Sequence, residues 1–258
     1  MNPTQKTLIF VFVVAFFPLA MFFLLPNPAQ ISISDVNAQP VAGNPASASI
    51  FLKLANEGAA DRLLGVEVDP PAKATLMNPE PDREIVIPAQ SKPQLASDGA
   101  HIMVTGLTGE LQPGALIPLR LAFAQAGRLT TKAKVAEPSA DPHAMHKMAA
   151  MGGQQAPADT ALSMMVEQSG DNSWRVQLAL SNFNLVKVDD GAAHVPGEGH
   201  GHLYVNGLKM GRLYDPVARI GALPPGRHLV RVTLNTHTHQ AYLQGDQILT
   251  VTQEIIVE

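Results

Sequence analysis

The sequence predicts an all-β protein: a β-sandwich followed by a second small β-sandwich or barrel domain, behind an N-terminal hydrophobic helix. Three observations predict it. Short segments with period-two alternation recur along the chain, separated by Gly, Pro, Asn and Asp. Turn formers are abundant, with 20 Gly and 21 Pro against 3 Tyr and 1 Trp. Beyond the first 30 residues no amphipathic pattern lasts three helical turns. Hydrophobic residues make up 46% of the 258 and charged residues 16%, enough apolar surface to exclude disorder throughout.

The elements follow in order. Residues 8–25, LIFVFVVAFFPLAMFFLL, carry no charge. Lys6 precedes them and the next charge is Asp35, so the N-terminus stays in the cytoplasm and the rest is exported. The run is long for a signal peptide and just spans a bilayer. Residues 1–30 are therefore read as a signal peptide or membrane anchor, the anchor preferred, which puts the working part in a bacterial periplasm. Strands are expected at 48–54, 63–68, 72–77, 84–87, 101–107, 116–123 and 129–135, making residues 31–137 one β domain. Residues 138–158, PSADPHAMHKMAAMGGQQAPA, have linker composition. The second domain, 159–258, has an alternating strand at Trp174–Ser181 and a glycine-rich loop over 191–201. A hairpin is expected around Asn206-Gly207, and strands at 228–234 and 248–257.

Composition also removes function classes. Net charge is −4, so no broad basic surface exists for phosphate neutralisation and nucleic acid is not a partner. Cysteine is absent, which excludes disulfides, thiolate metal sites, cysteine nucleophiles and a lipidated cysteine. What remains is His and Met. All nine His lie after position 100, and six of them fall between His194 and His239. A cysteine-free chain with clustered imidazole and thioether still holds a full set of copper ligands.

His101 and Met103 form a His-x-Met pair, which a strand projects to one face. Imidazole beside thioether suits Cu(I), and Met77 on a neighbouring strand offers a further sulfur. The alternative is that the methionines fill a core and His101 is a surface residue. The stretch SASIFLKLANEGAADRLLGVEV, then Ile87–Ala89, then DGAHIMVTGLTGELQPGALIPLRLAFAQAG resembles the PCuAC family of periplasmic copper chaperones over about residues 45–135. The resemblance implies a cupredoxin-like (Ig-like) sandwich. It also implies Cu(I) bound through Met77 in the family's His-or-Met position and through the His101-x-Met103 pair. The segment between Met77 and Ile87 is short and holds no match for the family's second Met. The family supplies copper toward cytochrome oxidase assembly, which implies an acceptor such as an oxidase subunit or another copper chaperone.

Two further pairs, His200-Gly201-His202 and His237-Thr238-His239, project to single faces if both lie on strands, and they converge if those strands are neighbours. His194 can join them. Such a cluster suits Cu(II), Zn or Ni, and Met210 would add softness for Cu(I), so copper in either oxidation state is expected here. Solvated loop histidines are the alternative. His228, mid-strand among apolar residues, reads as structural. GHGHLYVNG and LPPGRHLVRVTL also resemble a bacterial domain type associated with exported, metal-related β-domains. In the linker, His143, Met145, His146, Met148 and Met151 are mobile candidate ligands held near both domains.

The resulting expectation is a non-enzymatic copper chaperone that passes the ion by ligand exchange. Sequestration of copper is the second reading. A copper or zinc β-sandwich enzyme is the third; against it, Glu198 is the only carboxylate close in sequence to the His pairs, and no serine-triad or phosphate-loop signature occurs. A plain adhesion-type sandwich is the fourth.

Overall fold

The computed structural model describes residues 28–109, 111–137, 153–170, 172–189 and 192–258. The apolar segment 8–25 and the linker ligands His143, Met145, His146, Met148 and Met151 lie outside the described residues. Among the described residues there is no helix, and none long and apolar enough to cross a membrane.

Among the described residues the first half carries nine strands: β1 (Ile31–Val41), β2 (Asn44–Asn56), β3 (Asp61–Glu67), β4 (Lys73–Met77), β5 (Ile85–Ile87), β6 (Gln94–Leu95), β7 (His101–Thr105), β8 (Leu116–Phe123) and β9 (Arg128–Val135). The second carries eleven: β10 (Gln154–Gln155), β11 (Ala161–Gln168), β12 (Trp174–Ser181), β13 (Asn184–Leu185), β14 (Glu198–Val205), β15 (Leu208–Leu213), β16 (Val217–Ile220), β17 (Gly226–Asn235), β18 (Tyr242–Gln244), β19 (Gln247–Ile248) and β20 (Thr250–Val257). The fold is all-β, as the alternation requires. In β8, Ile117, Leu119, Leu121 and Phe123 turn inward; in β12, Trp174, Val176 and Leu178 do.

Two departures from the sequence reading have clear causes. β1 continues the alternation Ile31, Ile33 as Val36, Ala38 only because a bulge at Asp35 shifts the register by one. The glycine-rich stretch expected as a loop over 191–201 becomes strand from Glu198 onward. A Cβ at Gly199 would overlap the Asn235 carbonyl oxygen, and one at Gly201 would press on Leu213 and Val232. Glycine here allows β15 and β17 to close on β14 from both sides.

The halves interlock. One apolar core gathers Ile50, Leu52, Leu54, Ile102, Leu119 and Leu121 from the first half, and Leu208 from the second. The other gathers Trp174, Val176, Val205, Val230 and Val232, and Val86 from the first half. Both donated residues are fully buried. Burying such a side chain contributes about 1.5–3 kcal/mol. The sheet runs through the seam, since β6 pairs with β15 at Gln94 and Lys209. The Asn206-Gly207 turn of the β14–β15 hairpin has positive φ at both residues, the geometry that Asn-Gly favours. It meets the first half head-on: the Gly207 carbonyl accepts from the Ala100 amide at 2.8 Å.

Candidate metal centres

The first centre lies on the outward face of the first half. β4 and β7 are antiparallel, with Met77 directly opposite His101 and Thr75 opposite Met103. Directly opposed residues share a face, and so do residues two apart on one strand. Met77, His101 and Met103 therefore converge on one side, while Ile102 and Val104 point into the core. Met77 is 42% exposed, high for its type. The His101 ring leans on Phe51 of β2 with centroids 5.9 Å apart. Its Nδ1 lies 3.1 Å from the Gly99 carbonyl, which only accepts, so Nδ1 carries a proton and the tautomer that leaves Nε2 as the ligand nitrogen is the favoured one for the neutral ring. Two thioethers and an imidazole nitrogen on an open face form a soft, low-coordinate donor set that fits Cu(I).

The second centre is built on β14. His200, His202 and Tyr204 alternate to one face. His200 Nε2 and His202 Nε2 lie 2.9 Å apart, and His239 Nδ1 lies 3.2 Å from His200 Nε2. All three ligand nitrogens fall within 4.8 Å of one another. His200 and His202 are almost fully buried. Burial first, then the neighbouring imidazoles, pulls the His200 pKa down to about 3. Burial pulls His202 down to about 4 against the opposing hydrogen bond to Asp98. Both rings are therefore neutral at pH 7, the form that binds a metal. Three convergent imidazoles fit Cu(II), Cu(I) or Zn(II).

Behind them stands a carboxylate from the other half. Asp98 Oδ2 lies 2.7 Å from His202 Nδ1 and accepts from Lys209 Nζ at 2.6 Å and from the Tyr204 hydroxyl at 2.9 Å. Burial alone would raise the Asp98 carboxyl; the hydrogen bond from His202 and the Lys209 ammonium outweigh it and hold the group well below the usual carboxylate range. Ionised Asp98 fixes the proton of His202 on Nδ1 and leaves Nε2 free for a metal, the usual outer arrangement of a metal-bound histidine. Arg231 stacks on the Tyr204 ring at 4.0 Å and closes the network from the far side.

Residues 31–135 match the LpqE-like lipoprotein family model. The match spans less than half of the chain, and no curated protein matches it. Among solved structures the chain is similar to a copper-bound PCuAC domain from PmoF2, at 22% identity over 45% of this chain and 100% of that one, with a TM-score of 0.38. It is also similar to an apo PCuAC domain from PmoF1, at 20% identity over 44% and 100%, TM-score 0.39. An apo PmoF2 PCuAC domain gives 23% identity over 45% and 96%, TM-score 0.37. The family is described as one of lipoproteins, yet these 258 residues contain no cysteine to carry a thioether-linked lipid.

The LpqE-like region thus carries Met77, His101, Met103 and, unforeseen, Asp98. The other sequence candidates distribute unevenly. His237 and His239 do not end a strand: β17 stops at Asn235 and the pair lies in the turn that follows. Alternation is lost there, and the positive φ of His239 sends its ring to His200, with centroids 5.0 Å apart. His237 instead lies buried with Nε2 3.6 Å from Glu198, outside the triad. His194 packs against the Tyr242 ring at 5.8 Å and is also outside it. Met210 packs on the second core. His228 is structural as expected: Nε2 donates to the Pro224 carbonyl at 2.7 Å and Nδ1 accepts from the Asn206 side-chain amide at 3.2 Å. Asp98 escaped the sequence reading because it lies more than 100 residues from His202; the only local signal was Asp-Gly just ahead of His101.

Proposed function

We propose that the chain is an exported copper-binding protein that holds Cu(I) on Met77, His101 and Met103 and passes it on by ligand exchange. The observation that carries this is the convergence of those three side chains on one exposed face, with the His101 tautomer already set for binding. An open site suits transfer, because an acceptor's ligands can reach the ion while the donor's still hold it. The match of residues 31–135 to the LpqE-like family and the GAHIMVTGL resemblance support the same reading. The acceptor in this reading is a cytochrome oxidase subunit or another copper chaperone, in the periplasm, with residues 1–30 as signal peptide or anchor. Residues 31–137 and 159–258 act as the two domains, and 138–158 supply further thioether and imidazole donors. No step requires bond making in a substrate, so the protein acts as a carrier rather than an enzyme.

His200, His202 and His239 hold a second ion in this reading. The burial of His200 and His202 favours retention over exchange, which also supports sequestration as a second role. The test is anaerobic Cu(I) and aerobic Cu(II) titration of the full chain against competing chelators. His101→Ala with Met103→Ala is expected to remove the exchangeable Cu(I) equivalent, and unchanged Cu(I) affinity would sink that site. His200→Ala with His202→Ala is expected to remove a second equivalent; full stoichiometry in that variant rejects the triad. Release of Cu(I) to an apo acceptor separates a carrier from a store.

A further inference from the structure

The short loop between β6 and β7, residues 96–100, touches both centres. Asp98 accepts a hydrogen bond from His202 Nδ1, and the next residue, Gly99, offers its carbonyl to His101 Nδ1. Ala100 donates to the Gly207 carbonyl at 2.8 Å, and Gly99 passes so close that a Cβ there would lie 2.8 Å from the same oxygen. On the other side Asn78, the residue after Met77, donates to the Asn206 carbonyl at 3.1 Å. The chain ends that carry Met77 and His101 are thus clamped by the turn of the hairpin whose first strand carries His200 and His202. Asp98 and His101 are three residues apart, so their Cα atoms are separated by at most about 11 Å.

We propose that the Asp98-Gly99 loop couples the two centres, so that an ion on His200, His202 and His239 raises the affinity of Met77, His101 and Met103 for Cu(I). This rests on the copper reading above. Asp98 acts as a positioning residue through His202. An ion on His202 Nε2 withdraws charge from the ring and strengthens the Nδ1–H bond to Asp98. That bond fixes the loop, and the fixed loop holds the Gly99 carbonyl against His101 Nδ1 with Nε2 facing outward. The ordering of His101 is then complete before Cu(I) arrives, which is the general origin of positive coupling without a change of shape. Repulsion between the ions opposes the effect, but the first centre lies on an exposed face where solvent and salt screen it. Coupling between sites is reciprocal and typically amounts to about 5- to 150-fold.

The experiment uses the full chain with Zn(II) as the probe for the triad, since thioethers select Cu(I) over it. Anaerobic Cu(I) titration of the Zn(II)-loaded chain is expected to give at least about five-fold tighter binding than in the Zn(II)-free chain. Cu(I) is expected to tighten Zn(II) by the same factor. Asp98→Asn is expected to weaken Zn(II) by about 10- to 100-fold and, at saturating Zn(II), to abolish the effect on Cu(I). The wild-type comparison needs no variant, so a misfolded Asp98→Asn leaves the test standing. The His101 imidazole 15N signals, which a purely structural role would leave unmoved, are expected to shift on Zn(II) loading. Equal or weaker Cu(I) binding in the Zn(II)-loaded chain overturns the coupling and leaves the copper reading intact. A chain that takes no Zn(II) overturns the coupling, and the triad itself then stands or falls with the copper stoichiometry of the His200→Ala with His202→Ala variant. A chain that binds no Cu(I) at all overturns the copper reading itself.

Discussion

His200 and His202 show how burial can prepare a ligand and strain the protein that carries it. Their pKa values in the fold are about 3 and about 4, against 6.5 for a free side chain. Above pH 6.5 both the folded and the unfolded chain hold them neutral, and nothing is lost. Below it the unfolded chain binds protons that the fold refuses, so stability falls as pH falls, down to the folded values. The slope reaches about 1.4 kcal/mol per pH unit for each histidine. Asp98 does not cancel this: its carboxyl is held low, so its contribution persists through the window and fades only under stronger acid. Urea unfolding of the metal-free chain is expected to lose stability steeply from pH 6.5 to 4, and His200→Ala with His202→Ala to flatten the profile. A flat wild-type profile would reject the neutral buried pair. At this scale the sequence was partly legible. His-x-His on a strand marks two candidate ligands by spacing alone. It cannot mark Asp98, whose role depends on a packing event between distant segments, nor separate His237 from His239, which a single positive φ turns apart.

At the scale of elements, the Asn206-Gly207 turn carries more than its strands. Gly207 has φ of +80°, and a Cβ there would overlap Asn78 Oδ1. Gly43, in the β1–β2 turn, has φ of +77° but open space around it. Gly43→Ala is expected to cost backbone strain alone, about 1–3 kcal/mol. Gly207→Ala is expected to cost that and more, and to weaken Cu(I) binding, because Asn78 and Ala100 lose their seat beside Met77 and His101. Denaturant midpoints and Cu(I) titration of the two variants check it, and equal costs would mean that the seam tolerates crowding. Alternating strands such as β8 and β12 were legible because one face is buried and the other wet. β14 was legible only at its end, residues 203–205, because both its faces are covered and its glycines serve the approach of neighbours rather than a loop. β1 hid behind its bulge, which moves the apolar residues from one parity to the other.

On the scale of the whole molecule, the two halves exchange a core residue each. Leu208 completes the core of the LpqE-like region, and Val86 completes the core of the second half. A fragment ending at residue 137 therefore keeps its strands but lacks Leu208. It is expected to be less stable than the same region in the intact chain by about 2–5 kcal/mol, the usual effect of an emptied leucine site. Hydrogen exchange of the β2 and β7 amides, compared between fragment and full chain, measures this; identical protection would show that the cavity closes. The exchange also imposes an order in time. A chain threaded across a membrane from its N-terminus delivers Ile50, Ile102 and Leu121 long before Leu208. The LpqE-like half must wait, incompletely packed and open to holding factors or proteases, until the hairpin arrives to seal it. Maturation of the protein would then be timed by the last third of its own sequence.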